Sequence, residues 1–160
     1  MERRKRPSKP ETQPSPAARA LKLLARREHT RRELHQKLAP YVEDAEELEA
    51  LLDDFAARGW ISEARVVEQV VHAKRGRLGI ARIRHALLER GVPEELIQPA
   101  LQKLRDSELD TARAIWSGKF GARPESRAEQ ARQVRFLQAR GFGMEIAMRV
   151  VRGDHESRDE

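Results

Sequence analysis

The sequence predicts an all-α protein built as an elongated stack of helical repeats, in effect a small helical solenoid. Three observations lead to that prediction. Apolar residues recur at helical spacing, the chain aligns with itself without gaps after a shift of 50 residues, and only 39% of its residues are apolar. Such a low apolar content favours helices that pack mainly on their neighbours over a globule with one large core.

The shift of 50 residues aligns both arginines and helix stops from one unit to the next. It places Arg32 on Arg82 and Arg132, and it places the Arg-Gly pair at 90–91 on the pair at 140–141. Pro40-Tyr41 stands at that place in the first unit. Proline stops a helix because it lacks an amide donor, and glycine because it accepts a left-handed conformation. We therefore expect a helix to end at each place, while the similar pair at 58–59 closes a helix outside this register.

Helical spacing of the apolar residues also predicts the individual elements. The first unit has a leading helix near 16–28 and helices near 30–39, 44–58 and 62–75; the second has helices near 79–90, 93–104 and 107–119; the third has helices near 126–140 and 143–152.

Several helix starts carry capping residues. Thr30 with Glu33 and Ser126 with Glu129 have the spacing of capping boxes, and Ser62 is a single N-cap. We expect a helix to begin just after each of them.

Two stretches are less regular. The valine doublets at 66–67 and 70–71 raise the alternative of a strand, but their i, i+1, i+4, i+5 spacing follows a helix face. Pro99 falls within an apolar helical pattern, so we expect that helix to kink or to begin late.

These elements predict five segments. They are a disordered, basic, Pro-rich tail at 1–15, a leading helix with the first repeat at 16–78, a second repeat at 79–122, a third and shorter repeat at 123–153, and a frayed acidic end at 154–160.

Composition excludes several classes of function. The absence of cysteine excludes disulfides, thiolate zinc sites and a cysteine nucleophile. No apolar run approaches the length of a membrane span, and the N-terminus lacks a signal peptide, so we expect a cytoplasmic protein without membrane contact. No motif stands in a context that supports catalysis, so we expect no enzymatic activity and no cofactor.

The histidines and tryptophans give no sign of a site. The five histidines form no cluster with ligand spacing, so we expect no bound metal and a surface position for each; they are His29, His35, His72, His85 and His155. Trp60 and Trp116 lie beside apolar stripes, and we expect them in the core although they could stack on bases.

The strongest chemical signal is a basic window from Gln69 to Leu88 that contains no carboxylate. It is either a solvated helix junction or a contact surface for phosphate or an acidic protein. Its cations are Lys74, Arg75, Arg77, Arg82 and Arg84. Two further clusters complete the candidate filament- and DNA-binding set, namely Arg26, Arg27, Arg31 and Arg32, and Arg132, Arg135 and Arg140.

Two nucleic-acid motifs are weaker. Gly76 and Gly79 have the spacing of a backbone-clamping Gly-x-x-Gly loop, but no strands flank them, so we expect a flexible link. Residues 44–75 have the outline of a helix-turn-helix, although the second helix offers few side chains that could read base edges.

Three stretches resemble one known family. "TRRELHQKL" at 30–38, "GIARIRHALLERGV" at 79–92 and "RFLQARGF" at 135–142 are similar to the RecX regulators of the bacterial recombinase RecA, across roughly 17–152. The sequence departs from the family after Gly59, where an Asp-Asp pair followed by Arg and an aromatic residue is usual and "WISEARVV" stands here.

The resemblance implies tandem three-helix repeats in a curved stack. It implies that the partner is the RecA nucleoprotein filament, in whose groove the protein lodges to inhibit ATP hydrolysis, strand exchange and coprotease activity. We expect a monomer that binds single- or double-stranded DNA more weakly when alone. The alternative is a basic helical module that binds nucleic acid whether or not RecA is present.

Overall fold

The structure, a computed structural model, describes residues 13–154 of the 160-residue chain. That part of the chain is all-α, as predicted, with no strand. Its helices are α1 (Pro16–Arg26), α2 (Arg31–Leu38), α3 (Ala45–Ala57), α4 (Glu63–Lys74), α5 (Ile80–Glu89), α6 (Glu94–Gln102), α7 (Arg105–Lys119), α8 (Arg127–Ala139) and α9 (Met144–Arg152), with a 3₁₀ turn at Ala39–Tyr41. None of these helices is long and apolar enough to cross a membrane.

The predicted disordered tail and frayed end lie outside the described residues, apart from 13–15 and Asp154. Ser15 is the N-cap of α1, and its hydroxyl accepts a hydrogen bond from the Ala18 amide at 3.1 Å.

Three separate apolar clusters divide the helices into consecutive groups of three. The first cluster lies within α1–α3, the second within α4–α6 and the third within α7–α9. Their buried centres include Leu34, Leu38 and Leu52 in the first, Val66, Ile83, Leu87 and Ile97 in the second, and Leu137, Val150 and Val151 in the third. Helix α1 therefore takes the same place in its group as α4 and α7. The segment limits 16–78, 79–122 and 123–153 stay a prediction.

All three Arg-Gly-apolar triplets close a helix in the same way. Gly59, Gly91 and Gly141 are left-handed, with φ of 72°, 83° and 97°. The amide that follows each glycine donates back to the carbonyl five residues earlier, at 2.9 Å for Trp60 and 3.1 Å for Val92 and Phe142. This is the hydrogen bond of a Schellman motif. The first repeat ends α2 differently, with the 3₁₀ turn around Pro40.

The predicted N-caps are confirmed, with one difference. Thr30 and Glu33 form a complete capping box, and the Ser62 hydroxyl accepts from Arg65. The Ser126 hydroxyl accepts from the Glu129 amide at 3.1 Å, but the Glu129 carboxylate accepts from Glu125 rather than from Ser126. The helix still begins where the pattern predicts.

One alternative for Pro99 and the expectation for Gly79 were wrong. Helix α6 runs from Glu94 through Pro99, so it does not begin late, and the exposed proline costs it one internal hydrogen bond. The kink at Pro99 stays a prediction. Gly79 is no flexible link, because it is buried and its amide donates to the Arg140 carbonyl at 2.8 Å.

One of the two tryptophans also differs from expectation. Trp60 is 40% exposed, although its ring meets Phe55 edge-to-face with centroids 5.1 Å apart. It follows the glycine turn that closes α3, which carries it out of the apolar stripe. Trp116 is partly buried, and its indole N–H donates to the buried Gln133 at 2.8 Å.

We predict that Gly141→Ala lowers the free energy of unfolding by about 1 to 3 kcal/mol. A side chain strains the left-handed backbone, and a β-carbon there would lie 2.7 Å from the Arg82 Cβ. Thermal unfolding followed by circular dichroism measures the loss. Gly118→Ala is the matched control, because Gly118 lies in α7 with nothing near a new β-carbon; it should stabilise by up to about 1 kcal/mol. Equal melting temperatures for the two variants would contradict this account of the junction.

Candidate functional site

The basic window at 69–88 spans the end of α4, a turn and the start of α5. Arg75, Arg77 and Arg82 are exposed, and none of them forms an ion pair with a described residue. The fold brings carboxylates to the window from outside it. Glu94 pairs with Arg84 at 2.5 Å, and Glu108 lines one cavity with Arg75. The window therefore contains no carboxylate in its own sequence, but carboxylates from other segments lie next to it in the fold.

Two of the three aligned arginines take part in contacts between repeats. The side chain of Arg32 covers Gly91, where an added β-carbon would lie 2.6 Å from the Arg32 Cδ. Arg82 covers Gly141 in the same way. Each stem therefore packs on the glycine turn of the following group, and the glycine leaves room for it. Arg132 instead places its guanidinium 5.8 Å from the centre of the Phe120 ring.

The junction between the first two groups centres on the carboxylate of Glu33, whose side chain is 12% exposed. It accepts from Arg90 at 3.0 Å, from Arg27 at 3.1 Å and from the Thr30 amide at 2.9 Å. The Thr30 hydroxyl donates to the Arg90 carbonyl, and the Arg90 guanidinium donates to the Glu28 carbonyl at 2.7 Å. Arg27 therefore already pairs with Glu33 at this junction, and only 39% of its side chain is exposed to a partner.

These contacts set the charge of Glu33. Burial alone would raise its pKa, but the hydrogen bonds from Arg90, Arg27 and the Thr30 amide outweigh burial and lower the pKa to about 2. The carboxylate is therefore ionised at neutral pH, and it holds α2 against the turn that ends α5.

The remaining predicted cations differ in their surroundings. Arg31 pairs with Glu49 and Asp53, both at 2.7 Å, and these hydrogen bonds raise its pKa above the usual value. Arg140 lies 4.9 Å from the centre of the Phe136 ring. Arg26 and Arg135 are exposed, and neither forms an ion pair with a described residue. Lys74 is half-buried at the end of α4.

The structure also shows a basic groove that the sequence analysis missed. We call it the α1–α2 groove; its lining residues are Arg19, Lys22, Leu23, Arg26, Lys37, Leu38 and Tyr41. Arg26 was predicted as a site residue, but the other cations were not. A signal was present, because residues 12–27 contain no carboxylate and place cations at 19, 22 and 26 on one helix face.

His29 contradicts the expectation of a surface histidine. It is 1% exposed, with Nδ1 at 2.9 Å from the Arg27 carbonyl and Nε2 at 3.2 Å from the Lys37 ammonium. Burial, joined by the charges of Arg27 and Lys37, lowers its pKa below the usual value. The ring is therefore neutral, donating from Nδ1 and accepting at Nε2. His35, His72 and His85 lie at or near the surface, and His155 is outside the described residues. Between residues 13 and 154 no group of acidic or histidine side chains could hold a metal ion.

Two long stretches of the chain match domains of one family. Residues 62–101 match the second three-helix domain of RecX, and residues 106–151 match the third. Together they cover more than half of the chain. The chain belongs to the RecX family.

Relatives with the name "Regulatory protein RecX" agree with this assignment. The chain is 51% identical over 139 residues to the protein of Leptothrix cholodnii, covering 86% of this chain and 88% of the relative. It is 42% identical over 139 residues to that of Ralstonia pickettii, covering 87% of each. The resemblance seen in the sequence is thus confirmed, with its tandem three-helix repeats.

Solved RecX structures share the fold. The crystal structure of RecX from Lactobacillus salivarius superimposes with a TM-score of 0.74 at 17% identity, covering 86% of this chain and 93% of that one. A second crystal structure of regulatory protein RecX gives a TM-score of 0.71 at 21% identity, covering 84% and 70%. At these identities the likeness concerns the architecture alone.

We predict that Glu33→Gln destabilises the fold by about 3 kcal/mol at neutral pH, because a pKa depressed from 4.5 to about 2 contributes that much stability. The contribution is complete above the unfolded pKa and is lost as the pH falls through about 2. The difference in unfolding free energy between the wild type and the variant should therefore shrink from pH 5 downwards. Denaturant unfolding at several pH values measures it.

Glu49→Gln is the control for that measurement. Its carboxylate also pairs with arginine but is 51% exposed, so its loss should cost at most about 1 kcal/mol. A pH-independent penalty for Glu33→Gln would show that the junction depends on shape rather than on the charge.

Proposed function

We propose that this RecX member binds the RecA–DNA filament and inhibits the ATPase, strand-exchange and coprotease activities of RecA in DNA repair and recombination. The observation that supports this most directly is its similarity, over most of its length, to proteins named regulatory protein RecX. The name supplies the regulatory role, and the resemblance described from the sequence supplies RecA as the target.

The distribution of exposed cations supports a polymeric partner. Arg26 lies in the first helix group, Arg75 and Arg77 follow α4 in the second, and Arg135 lies in the third. A partner that repeats along a filament can meet all three groups at once, and such multivalency strengthens contacts that are weak singly.

The contacts also narrow the proposed site. Arg32 and Arg82 pack on glycine turns, and Arg84 pairs with Glu94, so each already contributes to the fold. Arg75 and Arg77 have no such structural task among the described residues. We therefore assign the central contact to this pair, with the other cations of the predicted set at its margins.

The second candidate function is a nucleic-acid-binding module that acts without RecA. The α1–α2 groove favours this function, because the fold of the first helix group alone brings its four cations together. The two functions differ in affinity. A filament regulator binds RecA on DNA far more tightly than bare DNA, whereas a simple module binds both equally. In either case we propose a cytoplasmic monomer without enzymatic activity.

We predict that the wild-type chain lowers the rate of ATP hydrolysis by RecA on single-stranded DNA, and that Arg75→Ala with Arg77→Ala weakens this inhibition. Two lost phosphate contacts should also reduce the log-log salt slope of binding by about 1.4 on single strands. Titration of the ATPase rate at several salt concentrations measures both effects. Melting should change little, because exposed charges contribute about 0 to 1 kcal/mol each.

The matched control is Arg58→Ala with Arg113→Ala, which removes the same charge from cations that already pair with Asp54 and Asp110. It should inhibit like the wild type. If the wild type leaves RecA activity unchanged, the proposed function is wrong. If the wild type and the Arg75 and Arg77 variant inhibit equally, the function stands and the assigned contact does not.

A further inference from the structure

The α1–α2 groove concentrates positive charge on the first helix group. Four of its seven lining residues are cations and none is a carboxylate. Within residues 13–154, Arg19, Lys22, Arg26 and Lys37 form no ion pair; Arg19 donates to the amide of Gln13 at 3.5 Å, and Lys37 to His29. Four cations that share one groove without a carboxylate create a local positive potential, which favours an anion as the ligand.

The cations are arranged in a row rather than around one point. Arg19, Lys22 and Arg26 lie at i, i+3 and i+7 of α1, which puts them on one face over about 10 Å of helix axis. Lys37 faces them from α2. A row of charges suits a chain of phosphates better than a single phosphate ion.

An aromatic side chain stands at the end of this row. Tyr41 is 53% exposed, and the Arg19 guanidinium lies over its ring, 3.7 Å from the centroid. The 3₁₀ turn that replaces the usual glycine stop places this tyrosine at the groove. Aromatic rings and guanidinium planes beside a basic groove are the means by which proteins bind unpaired bases, since stacking needs an open base face.

We propose that the α1–α2 groove binds single-stranded nucleic acid, with Lys22, Arg26 and Lys37 contacting phosphates and Tyr41, supported by Arg19, stacking on a base. This deepens the proposed DNA contact by naming a separate site for the single strand. It does not require RecA, and it does not involve the pair Arg75 and Arg77. An acidic peptide would also pair with the lysines and arginines, but its carboxylates would not stack on the exposed Tyr41 ring. The nucleic acid is therefore the favoured ligand.

The test is binding of a fluorescein-labelled oligo(dT) to the full chain, measured by anisotropy across salt concentrations without RecA. Lys22→Ala with Arg26→Ala should weaken binding and reduce the log-log salt slope by about 1.4. Tyr41→Leu should weaken binding by about 5- to 100-fold and leave the slope unchanged, because stacking carries no charge. Binding that neither variant weakens would overturn the proposal.

Matched controls exclude a general loss of charge or aromatic surface. Trp60→Leu removes another exposed aromatic ring with an arginine near it, 5.0 Å from its centroid, and should bind as the wild type does. Arg58→Ala with Arg113→Ala removes two charges outside the groove. Circular dichroism melting checks that every variant is folded. If Tyr41→Leu is unfolded, Lys22→Ala with Arg26→Ala alone decides the test.

Competitors distinguish the sources of anionic charge. Unlabelled oligo(dT) should displace the probe, whereas inorganic phosphate at the same phosphate concentration, a duplex of equal length and poly-glutamate should do so poorly. Displacement by phosphate, or by poly-glutamate as effectively as by oligo(dT), would overturn the single-strand assignment. The RecA ATPase assay is scored separately. If the groove variants lose oligo(dT) binding and still inhibit RecA, the groove is separate from the filament function. If they keep oligo(dT) binding and lose inhibition, the groove proposal is wrong and the proposed RecA function stands.

Discussion

The fold depends on one contact, in which the glycine turn that ends a helix of one group docks on the start of a helix in the group before it. At the second junction the amides of Gly79 and Ala81, at the start of α5, donate to the carbonyls of Arg140 and Gly141, at the end of α8. Two sets of helix-terminal groups that otherwise lack partners thereby satisfy each other. Because each apolar cluster is small, these junctions decide how the groups are joined.

The two junctions reach the same arrangement through different chemistry. At the first, the Thr30 hydroxyl and the Glu33 carboxylate bind the backbone and guanidinium of Arg90. At the second, backbone amides donate to the carbonyls of the glycine turn, and the Ile80 amide also donates to the Glu108 carboxylate at 3.4 Å. Arginine stems cover the glycine in both, which explains why arginine and glycine recur with the same 50-residue period. Some of the arginines that the sequence assigns to a ligand therefore stabilise the fold instead. The basic surface that remains for a partner is smaller than the composition indicates.

The sequence predicts features that depend on neighbouring residues better than features that depend on contacts between helices. Helix limits, N-caps and glycine stops depend on neighbours within about one turn, so Thr30, Ser62 and Gly91 were placed correctly from local pattern. Burial and charge pairing depend on how helices meet. His29 is buried and Arg84 meets Glu94 because of contacts between segments, and the repeat period of the sequence does not predict those contacts. The α1–α2 groove was missed for the same reason, since Lys37 and Tyr41 join it only after α2 folds onto α1.

The start of α8 and the end of α2 differ from the helix ends that form the two junctions. A fourth group would need free amides at the start of α8, but α8 begins about one turn earlier than the 50-residue period predicts, so those positions lie inside the helix and bond within it. A preceding group would need to receive a left-handed glycine, and Tyr41 stands there in a 3₁₀ turn instead. The start of α8 and the end of α2 therefore lack the docking contact that joins the three groups. The residue that replaces the glycine stop after α2 is also the exposed ring of the α1–α2 groove, so the same difference in sequence removes a docking contact and supplies an aromatic surface.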